Sequence, residues 1–102
     1  MLFQLTMFPT SKTSGSASAE VAKVIDIIDR SGLAYKLGPM STSIEGEWDE
    51  VMTVINEARR MLREKHERVY IILTIDDREG ATDRLSGKID SIEQRLGREV
   101  RK

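Results

Sequence analysis

Two carboxylates, Glu45 and Asp76, and four hydrogen-bonding side chains, Gln4, Thr6, Ser43 and Thr74, are the groups in this sequence whose types and spacing allow joint chemistry. Each stands at an outward position of a segment that alternates apolar and polar residues. Carboxylates accept hydrogen bonds and attract positive charge, while hydroxyls and the amide both donate and accept. Drawn away from water, the two carboxylates need a cation or an amino group beside them. A cationic or amino-bearing small molecule meets that need. So does a nearby Arg or Lys of the chain itself, and the sequence leaves both readings standing. The chemistry in view is binding.

Groups that would make or break bonds are missing or badly placed. There is no cysteine and a single histidine. His66 falls among Lys65, Glu67 and Arg68 at the end of a helix, and is expected to be a solvated residue favoured by the helix's negative end. Asp76 and Asp77 are neighbours on a strand, so they point to opposite faces and cannot share a magnesium ion. No third oxygen ligand stands at useful spacing, so neither a metal nor a cofactor is expected. The stretch 10–18, with Lys12 and Gly15 ahead of a helix, resembles a phosphate cradle only superficially. It lacks the Gly, Lys and Ser/Thr spacing of a P-loop and reads as a Ser-rich loop. Trp48 opens a helix beside Glu47 and reads as a hydrophobic anchor there. No nucleophile has a base partner, and no enzyme is expected.

The totals narrow the partners. A chain of 102 residues makes one domain, 1–102, and buries about 60–70% of its unfolded surface. With 39% apolar and 32% charged residues it is globular. Net charge is −1 and no basic run exceeds two residues, so the electrostatic footprint of a nucleic-acid binder is absent. No apolar run approaches the length of a membrane span. The start, MLFQLTMFPT, lacks the basic opening and long apolar core of a signal peptide. A cytoplasmic protein without membrane or nucleic-acid partners is expected.

The elements that position these residues follow from periodicity. Leu2 to Phe8 reads as the first strand, stopped by Pro9. A helix from about Ser18 to Ser31 carries Val21, Val24, Ile25 and Ile28 on one stripe, with Ser16 or Ser18 able to cap it and Gly32 suited to its end. Leu33 to Leu37 and Ser41 to Glu47 read as a hairpin turned at Gly38-Pro39. A second helix runs from about Trp48 to His66, with Trp48, Val51, Met52, Ile55, Ala58, Met61 and Leu62 on its apolar face. Val69 to Ile75 is the strongest strand. A third helix spans about Thr82 to Leu96, with Leu85, Ile89, Ile92 and Leu96 in its stripe, and Gly97 ends it. The order β-α-β-β-α-β-α predicts an α+β, ferredoxin-like βαββαβ sandwich with an extra C-terminal helix and an antiparallel sheet of order 4-1-3-2.

In such a fold one sheet face packs on two helices and the other lies open. Strand parity puts Val69, Ile71, Leu73, Ile75, Phe3, Leu5, Met7 and Ile44 inward. It puts Tyr70, Ile72, Thr74, Asp76, Leu2, Gln4, Thr6, Phe8, Ser43 and Glu45 outward. The strand order is expected to set Gln4 between Glu45 and Asp76, with Thr6 near Ser43 and Thr74. Each large apolar side chain left wet forgoes about 1.5–3 kcal/mol, so Leu2, Phe8, Tyr70 and Ile72 together predict a cover. The third helix covers part of the face in this reading and a second copy of the chain covers the rest, which predicts a homo-oligomer. Cover by the helix alone is the alternative.

One segment goes beyond pattern. The run from Ser31 to Gly46, SGLAYKLGPMSTSIEG, resembles the signature hairpin of the small cytosolic thiamine-binding-protein family. Arg68-Val69 with Ile75-Asp76-Asp77-Arg78 resembles its fourth strand, and Lys88 to Glu93 its last helix. The resemblance covers nearly the whole chain from Ser16 onward. It implies a ferredoxin-like subunit in a homotetramer, two dimers joined through their sheets, that binds thiamine or its hydroxymethylpyrimidine part without catalysis. On that reading Glu45 and Asp76 meet the cationic thiazolium ring and the pyrimidine amino group, and Gln4, Thr6, Thr42, Ser43 and Thr74 complete the ligand set. The family pattern is poorly matched in the loop after Pro9, and Ser41 stands where Gly is common. The alternative is a regulatory protein-interaction module without a small ligand.

Overall fold

The computed structural model describes residues 1–10, 17–80 and 82–101. Its elements are β1 (Leu2–Pro9), α1 (Ala17–Arg30), β2 (Ala34–Leu37), β3 (Thr42–Glu45), α2 (Trp48–Arg63), β4 (Val69–Asp76) and α3 (Arg84–Leu96). The sheet is antiparallel, in the order β2-β3-β1-β4. This is the expected ferredoxin-like sandwich with a third helix added at its end. The Ser-rich loop and the capping role of Ser16 lie outside the described residues. Ser18 falls inside α1.

Alternation sorts the sheet as period two demands. Phe3, Leu5, Met7 and Ile44 are buried beneath α1 and α2, and Ile71, Leu73 and Ile75 pack against them half-buried. From α1 the core takes Val24, Ile27 and Ile28. The buried face is therefore centred on Ile27, and Val21 and Ile25 sit at its margin. From α2 it takes Val51, Val54, Ile55, Ala58 and Leu62. Phe3, Ile28, Ile44, Leu62 and Val51 are sealed completely. Truncating one such side chain costs about 2–5 kcal/mol, which fixes the two-layer arrangement.

The ends of the elements obey local rules. Gly97 ends α3 in the left-handed region (φ 71°), and its amide closes the turn on the Glu93 carbonyl at 2.8 Å. Gly38 closes the β2–β3 turn by donating to the Ser41 carbonyl at 2.8 Å. Tyr35 on β2 donates to Asp29 of α1 at 2.8 Å, which raises the tyrosine's pKa above its usual value. No helix among the described residues is long and apolar enough to cross a membrane.

His66 corrects an expectation. It lies past the end of α2, which stops at Arg63, and is 6% exposed. Its Nε2 stands 3.1 Å from Glu20 Oε2 of α1. Together with Lys23, this contact lowers the Glu20 pKa below its usual range. The ring is held by a tertiary contact between α1 and the segment that follows α2.

Candidate functional site

The face of the sheet away from α1 and α2 carries, along β1, Leu2, Gln4, Thr6 and Phe8. Their cross-strand partners define three bands. At one end Leu2 is flanked by Glu45 on β3 and Asp76 on β4. Next, Gln4 is flanked by Ser43 and Thr74, and then Thr6 pairs with Ile72. At the far end Phe8 pairs with Tyr70, their ring centroids 5.6 Å apart, and the Arg68 guanidinium lies 5.8 Å from the Tyr70 ring centre. Strands stand about 4.8 Å apart, so Glu45 and Asp76 are separated by about 10 Å across β1.

This register is two residues away from the expected one. Leu2, and not Gln4, lies between the carboxylates, and Gln4, and not Thr6, lies between Ser43 and Thr74. The residues share a face as predicted, but the hydroxyl row and the carboxylates are successive bands. Thr42 departs further. It pairs with Leu5 and Leu37 on the helix side and is 5% exposed. Parity with Ile44 requires this, so Thr42 does not join the others on the open face.

The hydroxyl band is tied to the β2–β3 turn. Gln4 Nε2 donates to Ser41 Oγ at 2.9 Å, and Thr6 Oγ1 donates to the Met40 carbonyl at 3.1 Å. Ser41 thus participates in this band, a role that sequence reading did not assign.

Helix α3 lies over the carboxylate band. Its own N-cap residue, Asp83, adopts a left-handed conformation (φ 54°) and makes no capping hydrogen bond. Glu45 takes that role from 39 residues away, its Oε2 accepting from the Arg84 backbone amide at 2.8 Å. A carboxylate there also meets the helix's positive end. One turn later, Lys88 Nζ reaches Asp76 Oδ2 at 2.5 Å. The Lys88 ammonium, with Arg84 and Arg78 behind it, holds the Asp76 carboxyl below the usual aspartate range. Both carboxylates therefore have partners within the chain, one a backbone donor and the other a lysine.

Apolar groups surround these bands. Tyr70 is 43% and Ile72 51% exposed on the sheet, and Ile92 and Leu96 are about half exposed on α3, which has no buried residue. Trp48 stands at the first turn of α2 with its ring centroid 6.3 Å from that of Phe3, an anchor with one side wet. No group of three or more metal-ligating side chains converges among the described residues.

Residues 3–93 match the family model described as "Thiamine-binding protein". The chain belongs to this family. A UPF0045 protein of Methanothermobacter thermautotrophicus is 32% identical over 95 residues, covering 91% of this chain and 96% of the relative. A UPF0045 protein of Bacillus subtilis is 33% identical over 97 residues, covering 90% and 93%. Among solved structures, a hypothetical protein of Methanocaldococcus jannaschii aligns with a TM-score of 0.80 at 25% identity, covering 91% of this chain and 95% of that one. A Thermotoga maritima protein provisionally assigned to thiamine biosynthesis or salvage aligns with a TM-score of 0.77 at 25% identity, covering 89% and 96%. These solved structures share this chain's α+β fold over nearly its whole length.

Proposed function

We propose that the open face of the sheet binds thiamine or its hydroxymethylpyrimidine part, without catalysis, within a homotetramer built as a dimer of dimers. Membership of the thiamine-binding family supports the ligand class. The reading rests on one arrangement: the row Ser43, Gln4 and Thr74 across three strands, beside the pair Glu45 and Asp76. The row presents donors and acceptors to ring nitrogens, and the carboxylates meet a cationic ring and an amino group. The exposed Tyr70 and Ile72 beside Phe8 support a covering second copy, since apolar area of this kind is stabilised by burial.

Calorimetry with thiamine and with hydroxymethylpyrimidine tests the ligand, and native mass spectrometry the assembly. Saturable heat lost on Glu45→Ala and Asp76→Asn is expected, together with a four-copy mass. Absence of heat at millimolar ligand, or heat unchanged by both substitutions, overturns the ligand reading. A monomer in dilute solution overturns the assembly.

A second reading has its own support. Both carboxylates already have partners on α3, and Ile92 and Leu96 lie exposed on that helix. An interaction module that recognises another protein through this surface needs no small ligand. A stable assembly that gives no heat with either compound favours it.

A further inference from the structure

Strand β4 forms one edge of the sheet, and its outer side pairs with no strand among the described residues. Its sequence, VYIILTID, runs in unbroken register with β1 from Val69 to Asp76. Exposed edges are normally blunted by lysine, proline, a bulge or a covering helix. β4 has none of the first three, and α3 packs mainly over β2 and β3, away from this edge.

One bond shows which way the backbone groups of β4 face. The Thr10 amide donates to the Arg68 carbonyl at 3.0 Å, extending the β1–β4 ladder by one pair. Bonded and non-bonded pairs alternate along an antiparallel ladder. Arg68, Tyr70, Ile72, Thr74 and Asp76 therefore turn their backbone N–H and C=O groups toward β1. Val69, Ile71, Leu73 and Ile75 turn theirs outward, a row of open donors and acceptors.

A second copy of the same edge fits this row. Two β4 strands related by a two-fold axis through Ile72 run antiparallel. The bonded pairs are then Val69 with Ile75 and Ile71 with Leu73, the residues whose backbone groups face out. The same register sets Arg68 opposite Asp76 of the second copy at both ends of the pairing. With the axis through Leu73, Arg68 would instead face Arg78. With the axis through Ile71, Arg68 would face Thr74, and Asp76 would face His66. The register centred on Ile72 is the one that matches opposite charges, and like charges set opposite each other destabilise a pair. It also lays the half-exposed Ile72 against its own copy and Tyr70 against Thr74.

We propose that two copies of the chain join edge to edge through β4 in this register, so that Arg68 of the second copy meets Lys88 at the Asp76 carboxylate. The pairing rests on the assembly reading above, of which it fixes one contact, and is independent of the ligand.

The test is disulfide trapping in the full chain, which has no cysteine of its own. Facing non-bonded residues stand about 4.5 Å apart between Cα atoms, within the span of a disulfide. Ile72→Cys should therefore form a covalent two-copy species rapidly with copper phenanthroline in air. Thr74→Cys lies on the same face but about 14 Å from its own copy in this register, and should stay uncrosslinked. Sheets stacked face to face stand about 10 Å apart, so the other contact of a tetramer does not yield the Ile72 cross-link. Arg68→Glu should raise the dissociation constant of the edge contact about tenfold by setting like charges together. No cross-link at Ile72→Cys, or equal cross-linking at both positions, overturns the proposal, and so does an unchanged constant in Arg68→Glu. A four-copy native mass without the Ile72 cross-link would overturn this edge contact alone. A two-copy mass with the cross-link would support it while sinking the face-to-face half of the assembly.

Discussion

Replacing Glu45 by Ala should loosen α3 and leave the rest of the fold in place. The Glu45 carboxylate accepts from the first amide of α3, and Asp83, the residue placed to cap that helix, does not. Losing a cap costs about 0.5–2 kcal/mol. Losing a negative charge at the helix's positive end costs about 0.3–1 kcal/mol more. A helix of 13 residues is marginal on its own, and this one has no buried side chain to compensate. A combined loss of about 1–2 kcal/mol shifts the docking equilibrium about 5- to 30-fold. Native-state hydrogen exchange reads this directly. The amides from Lys88 to Leu96 should exchange faster by that factor, while those of Phe3, Leu5 and Met7 keep their protection. Glu45→Gln retains an acceptor and should fall between. Unchanged exchange in α3 would refute the capping role. Equal acceleration in α3 and β1 would show that Glu45 supports the whole fold, and would refute the separation drawn between helix and core.

Gly38→Ala places a methyl 2.8 Å from the Ser41 carbonyl oxygen, which is backbone and cannot swing aside. A loss of about 1–3 kcal/mol is expected in denaturant unfolding, with the slope unchanged; wild-type stability would refute the close approach. Lys88→Met should return the Asp76 pKa upward, read by carboxyl-carbon NMR. The lowered native value means that the pair stabilises the fold above pH 3.8, the ordinary aspartate value, and that this is lost as pH falls through the native value. The variant should lose that part of its acid sensitivity, and an Asp76 titration identical in both proteins would exclude Lys88 as the cause.

The faces of the sheet were legible because the helix layer demands alternation. Val69, Ile71, Leu73 and Ile75 had one consistent solution, and so did Phe3, Leu5 and Met7. Register was not legible at the same depth. A slip of one residue would turn Phe3 outward, which the pattern forbids, but a slip of two keeps every side chain on its face. Hence Gln4 was expected where Leu2 stands. His66 was misjudged because its sequence neighbours are charged, whereas its burial comes from Glu20, 46 positions away. The stripe of α3 was readable, but its docking was not. The helix is fastened by Glu45 and Lys88, polar contacts with no periodicity, and Ile92 stays about half exposed. Thr42 entered the ligand set through family likeness, against the parity that Ile44 imposes on β3.

Because Lys88 already rests on Asp76, a cationic guest arriving there would be an exchange of partners and not an addition. The guest gains only the difference between two ion pairs, both wet at their margins, and that difference is small. Discrimination would then fall to the neutral parts of the guest and to the row of hydroxyls and amide beside it. The displaced ammonium, returned to water, would take with it a polar tie that holds α3 down. Occupancy of the face and attachment of the C-terminal helix would thus trade against each other, and any partner that grips the helix would make itself felt at the carboxylate.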